Sequence, residues 1–161
     1  MPDVDTTPEG DRDQIGTTPE GNDMSAPTAE EIRAAVERHV ELWNAGDKGA
    51  WLAHWKRVVP GEVTMEDPVG TPLKRGWDVM GEVWDASPNA DWKLGIGMLY
   101  VCGSTAAAVI RNSGTVNGEP TLIQSIEIYK FGDDGSLHTS TFWDLEKGNE
   151  YAQWTTETGE E

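Results

Sequence analysis

Apolar residues recur at helical spacing through the first part of the chain and at alternating spacing through the rest. Ile32, Val36, Val40 and Trp43 fall on one helical stripe. The stretch "TAEE" marks its start: Thr28 can cap, and Glu31, three residues on, can close a capping box. "NAGD" ends it, with Gly46 suited to a left-handed cap. Asp47 can cap a second, short helix carrying Trp51, Leu52 and Trp55, closed by Pro60. A strand is expected at 62–66, and "GWDVMGEVWD" (76–85) predicts a third helix with Val79, Val83 and Trp84 near one face. Beyond it the pattern becomes extended, and 92–102, 105–116, 121–131 and 136–146 predict four long strands. "NG" at 117–118 is a hairpin signal, because a type I′ turn needs positive φ at both central residues. "DDG" at 133–135 marks another tight turn. Three helices followed by an antiparallel meander is an α+β layout, with the helices packed on one face of a curved sheet.

The ends lie outside this pattern. Residues 1–25 repeat "TTPEG" at 6–10 and 17–21, and Met1, Val4, Ile15 and Met24 are too sparse to seed a core. They are expected to be a disordered acidic tail. The folded domain is expected over 26–148, followed by an acidic C-terminal tail, 149–161, with Glu157, Glu160 and Glu161. The chain has 161 residues, enough for one domain. Its net charge of −17 argues against nucleic acid and anionic membrane surfaces as partners, since both reward Lys and Arg.

The start, "MPDVDTTPEG", has neither the basic nor the apolar region of a signal peptide, and no apolar run is long enough to span a bilayer. A cytoplasmic protein is the expectation. Cys102 is the only cysteine, which excludes an intramolecular disulfide; "LYVCG" reads as a buried strand in which it would be inert. No Gly-rich phosphate loop follows a strand, and no G-x-S-x-G elbow is present. His39, His54 and His138 show no ligand spacing with Cys102 or paired carboxylates, so no metal site is expected.

Strand alternation isolates several polar residues. Along 121–131, Ile123, Ser125, Glu127, Tyr129 and Phe131 share one face, and a carboxyl there is costly unless paired or protonated. Leu122, Ile126 and Ile128 make the opposite face apolar, and a homodimer is the simplest cover for it. Ile110, Asn112 and Gly114 share a face of the strand 105–116, and Ser140, Phe142 and Asp144 a face of the last strand. Asp144 has two readings, a pocket acid or a rim residue in solvent. His39 lies beside Val36, Val40 and Trp43, either as a core histidine bonded to a carbonyl or as a pocket group. Asp67, between Glu66 and Pro68, either makes a local turn or stands at a pocket mouth. Trp43, Trp51, Trp55, Trp77 and Trp84 lie on the helices and supply core volume; some could line a mouth and stack on a flat ligand.

"RHVELWNAGDKGAWLAHW" followed by "VTMEDPVGTPLKRG" resembles the opening of the ketosteroid isomerases, part of the NTF2-like superfamily with its SnoaL-like cyclases. "IEIYKFGDDGSL" resembles that family's penultimate strand and turn, so the similarity spans roughly 29–146. The resemblance implies a cone: a curved antiparallel sheet wrapped by three N-terminal helices around an apolar pocket. It also implies that Asp67 is the base that moves a proton between two carbons of an enone. The family's helix-one tyrosine falls on His39 and its protonated strand aspartate on Glu127, which places both as donors to the enolate oxygen. "FWD" at 142–144 resembles strand ends of SnoaL-like proteins, some of which hold a catalytic acid there. The limonene-epoxide-hydrolase branch needs an Arg where this chain has Ser125, which counts against epoxide hydrolysis. The implied activity is a cofactor-independent steroid delta-isomerase-like proton transfer on a small hydrophobic, steroid-like or fused-ring ketone. Asn112, Asp144, Trp43, Trp55, Trp84 and Phe142 are the candidate substrate contacts. The alternatives are a SnoaL-like dehydratase or polyketide cyclase, and a non-catalytic small-molecule binding domain.

Overall fold

The computed structural model describes residues 25–87 and 91–144. The expected tails, 1–25 and 149–161, lie essentially outside the described residues, as does the expected domain boundary at 148.

Helix α1 (Ala29–Ala45) starts at the predicted capping box. The Glu31 amide donates to the Thr28 hydroxyl, and the Thr28 amide donates to the Glu31 carboxylate. Gly46 closes the helix in the left-handed region, at φ 72°. Helix α2 (Lys48–Val58) is capped by the Asp47 carboxylate, which accepts from the Ala50 amide at 2.8 Å. After strand β1 (Val63–Glu66) and the two-residue strand β2 (Lys74–Arg75) comes helix α3 (Trp77–Asp85). Strands β3 (Lys93–Cys102), β4 (Thr105–Val116), β5 (Glu119–Phe131) and β6 (Leu137–Trp143) form the expected meander. Asn117 and Gly118 both take positive φ, 52° and 85°, as the "NG" turn requires.

The strands form one curved, unclosed sheet in the order β2-β1-β6-β5-β4-β3. One feature departs from the expected antiparallel sheet. Strand β1 pairs parallel with β6, Val63 opposite Leu137 and Glu66 opposite Ser140, so the sheet is mixed. The long crossover through β2, α3 and strands β3 to β5 brings the first strand back beside the last, a pairing that no local turn signal encodes.

The three helices cover the concave face. Ile32, Val36, Trp51, Trp55, Ile110, Leu137 and Tyr129 are buried there. Burying a large side chain of this kind stabilises the fold by about 1.5–3 kcal/mol each. Cys102 corrects the sequence expectation. It is exposed, because β3 is the edge strand and its far end leaves the core. Among the described residues no helix is long and apolar enough to cross a membrane.

Candidate active site

Between the helices and the concave sheet lies a cavity of about 430 Å³ with mostly apolar walls. Trp43, Trp51, Trp55, Met65, Met80, Trp92 and Leu94 form much of the wall, and Lys74, Arg75 and Glu82 are among its charged lining residues. Asp67, His39, Glu127, Asn112, Tyr129, Thr139 and Trp143 also face it.

Asp67 follows β1 directly. Val63 and Met65 point into the core, and alternation carries the same inward direction to Asp67 while Glu66 takes the other face. The segment is pinned from two sides. The Val69 amide donates to the Thr141 carbonyl at 2.8 Å, and Lys74 Nζ donates to the Asp67 carbonyl at 2.7 Å. The Asp67 carboxylate accepts a 2.6 Å hydrogen bond from Trp143 Nε1. Burial raises its pKa above the ordinary value, while the Trp143 bond and the Lys74 charge pull the other way.

Glu127 sits between Ala108 of β4 and Thr141 of β6. Its carboxylate accepts from the Tyr129 hydroxyl, two residues along the same strand face. Burial pushes its pKa up to about 7; the Tyr129 bond opposes this and the Asp67 charge adds to it. The same burial, with Glu127 beside it, holds the Tyr129 phenol well above its usual range, so Tyr129 stays a donor. Ala106 and Ala108, fully buried opposite Tyr129 and Glu127, leave room for this pair.

His39 on α1 is buried, with Nδ1 accepting from Trp51 Nε1 at 2.7 Å and Trp55 Nε1 at 3.1 Å. Burial, with His54 nearby, lowers its pKa to about 3. Its Nε2 and the Thr139 hydroxyl are buried with no hydrogen-bond partner among the described residues. The core-histidine arrangement considered for His39 is found at His54 instead, whose Nε2 donates to the Ala35 carbonyl at 2.9 Å.

The structure therefore brings Asp67, His39, Glu127, Asn112, Trp43 and Trp55 to one cavity. Asn112 is already engaged, donating to the Ser125 hydroxyl at 3.0 Å. Three candidates are displaced. Trp84 packs against Trp43 and Trp51, with centroids at 4.4 and 5.3 Å, and backs the wall without lining it. Phe142 and Asp144 are exposed on the opposite face of β6, where inward positions are Leu137, Thr139, Thr141 and Trp143. The face assignment of the last strand is thus inverted relative to the expectation. Sequence reasoning missed Trp143, although "FWD" contains it, and it missed Lys74, which "PLKRG" contains.

No family model matches the chain. A curated relative, the steroid Delta-isomerase of Nocardioides simplex, is 25% identical over 114 residues, covering 70% of this chain and 89% of that protein. The chain resembles the ketosteroid isomerases in sequence and takes the NTF2-like fold. Solved structures agree on the fold. The epoxide hydrolase/cyclase-like enzyme SalBIII, of pyran ring formation in the polyether salinomycin, superposes with a TM-score of 0.60 at 19% identity, covering 72% of this chain and 92% of that one. Bal32a, from a soil-derived mobile gene cassette, gives 0.60 at 12% identity, covering 79% and 95%. In this isomerase-like chain the cone is the NTF2-like one, with the site at the concave face of its sheet.

Proposed function

We propose that the protein is a cofactor-independent isomerase that moves a proton between carbons of an enone in a steroid-like or fused-ring ketone. One observation carries the reading: Asp67, oriented by the Trp143 N–H, and Glu127, held near neutrality, line the same apolar cavity. Two carboxyls whose surroundings separate their roles make an acid–base pair. The named steroid Delta-isomerase relative supports the same reading.

In the proposed step the Asp67 carboxylate takes a proton from the carbon beside the carbonyl. A C–H bond breaks, an O–H bond forms on Asp67, and the electron pair moves into the enolate. The developing oxygen charge is met by the Glu127 O–H and the His39 Nε2–H. Asp67 then returns the proton to another carbon, so atoms and electrons balance without an added reactant. Trp43 and Trp55 offer flat faces to a fused-ring body.

The test is turnover of a β,γ-unsaturated 3-ketosteroid. Asp67→Asn keeps the shape and removes the base, and turnover should fall by about two to four orders of magnitude. Glu127→Gln keeps a donor and should be the mildest change, with Glu127→Ala between the two. No wild-type turnover on several such enones rejects the isomerase reading.

The same acid–base pair favours one other reaction. With Asp67 at a C–H bond and Glu127 at a leaving hydroxyl, the site would dehydrate a hydroxy-ketone, or steer a polyketide cyclisation. Product mass separates dehydration from isomerisation, being lower by one water in the first and unchanged in the second. Saturable binding of flat ketones with no turnover would leave a binding domain.

A further inference from the structure

We propose that Trp51 and Trp55 lock His39 in the tautomer that carries its hydrogen on Nε2, making the buried ring a fixed neutral donor to an oxygen of the bound ligand. An indole N–H can only donate. Both indoles of α2 aim at one atom, His39 Nδ1, at 2.7 and 3.1 Å. That nitrogen must therefore present a lone pair, and a neutral ring then holds its hydrogen on Nε2. A proton added at Nδ1 would face two donors at once.

The other nitrogen, Nε2, has no partner among the described residues, and His39 is 7% exposed. A buried donor without an acceptor is destabilising, and a ligand oxygen would relieve that. His54 on α2 and Tyr129 on β5 lie beside the ring, and Asp67, Lys74, Arg75, Glu82 and Glu127 line the same cavity. None accepts from Nε2, and the Tyr129 hydroxyl is committed to Glu127. Burial and the nearby His54 keep the imidazolium form out of reach at ordinary pH.

The consequence deepens the proposed function and rests on it for the reaction. A tyrosine in this place could share its proton with an enolate. A neutral imidazole N–H donates a hydrogen bond without giving up its proton, so His39 would stabilise the developing oxygen charge without protonating it. The deep group also selects ligands that present an oxygen acceptor and disfavours analogues lacking it.

The experiment is a long-range ¹H–¹⁵N histidine spectrum of the full-length, ¹⁵N-labelled protein, with 2-naphthol as the oxygen-bearing probe. Wild type should show His39 protonated at Nε2 and bare at Nδ1, unchanged from about pH 5 to about pH 9. Adding 2-naphthol should shift Nε2 and spare Nδ1. In the Trp51→Phe, Trp55→Phe double variant the Nδ1–H tautomer should become populated. Its kcat should fall about tenfold or more with KM held within about twofold. A purely structural role for the tryptophans would leave the tautomer unchanged. Wild-type His39 protonated at Nδ1, or carrying both protons near neutrality, overturns the proposal, as does a folded double variant with an unaltered tautomer. If the double variant does not fold, the wild-type tautomer and its response to 2-naphthol decide: protonation at Nδ1, or a 2-naphthol shift that falls on Nδ1 and spares Nε2, overturns the proposal. The tautomer is read without turnover, so inactivity on enones would reject the isomerase reading and leave this result standing.

Discussion

Below about pH 7 the Glu127 carboxyl keeps its proton, and above the raised pKa of Asp67 that carboxyl has lost its own. A reaction needing Asp67 as base and Glu127 as donor runs between those limits. Its rate should climb with pH through the Asp67 titration and fall as pH passes about 7, the two limbs belonging to the pair because the groups interact. Rate measurements across pH check this, and Glu127→Gln should lose the falling limb. Tyr129→Phe removes the bond that stabilises ionised Glu127, so it should move that limb to higher pH. Much of this chemistry was readable from residues. Alternation places Glu127 among Ile123, Tyr129 and Phe131, and Asp67 follows two inward residues of β1. The bond from Trp143 to Asp67 was not readable, because it joins residues 76 apart in sequence through a parallel strand pair.

Elements with local signals were legible, and those defined by distant partners were not. The capping box, the Asp47 cap, the left-handed Gly46 and the "NG" turn all act within a few residues, and all stand where the sequence put them. Strand β2 has two residues, too few to show a period. Strand β6 carries an aromatic on each face, Phe142 and Trp143, so alternation alone cannot say which is inward; its pairing with β1 decides. Gly114 is a related case. It leaves a gap on the inward face of β4 where bulk would be expected, and Trp92 fills it. A Cβ at Gly114 would lie 2.8 Å from the Trp92 ring and 3.1 Å from its Cα. Trp92 lines the cavity, and its carbonyl accepts from Trp43 Nε1 at 3.3 Å. Gly114→Ala should therefore cost about 1–3 kcal/mol by overpacking, measured by denaturant unfolding, and should weaken ligand binding as Trp92 shifts.

The molecule has two apolar regions of different kinds, a cavity inside the cone and a stripe on the outside of its sheet. Met98, Tyr100, Leu122, Ile126 and Phe142 are exposed there, with Val109, Ile126 and Phe142 in register across β4, β5 and β6. The stripe is where a second copy of the chain is proposed to dock. Sedimentation at micromolar concentration should give a dimer, and Ile126→Glu a monomer; a wild-type monomer would end the idea. The inner region has an optical consequence. Trp43, Trp51, Trp55, Trp92 and Trp143 surround the space a ligand would fill, and Trp84 touches two of them. Excitation on one indole can migrate through the cluster, so an absorbing guest among them quenches several fluorophores together. The wall that shapes the cavity thus also reports its occupancy as a change in intrinsic emission, with no label attached.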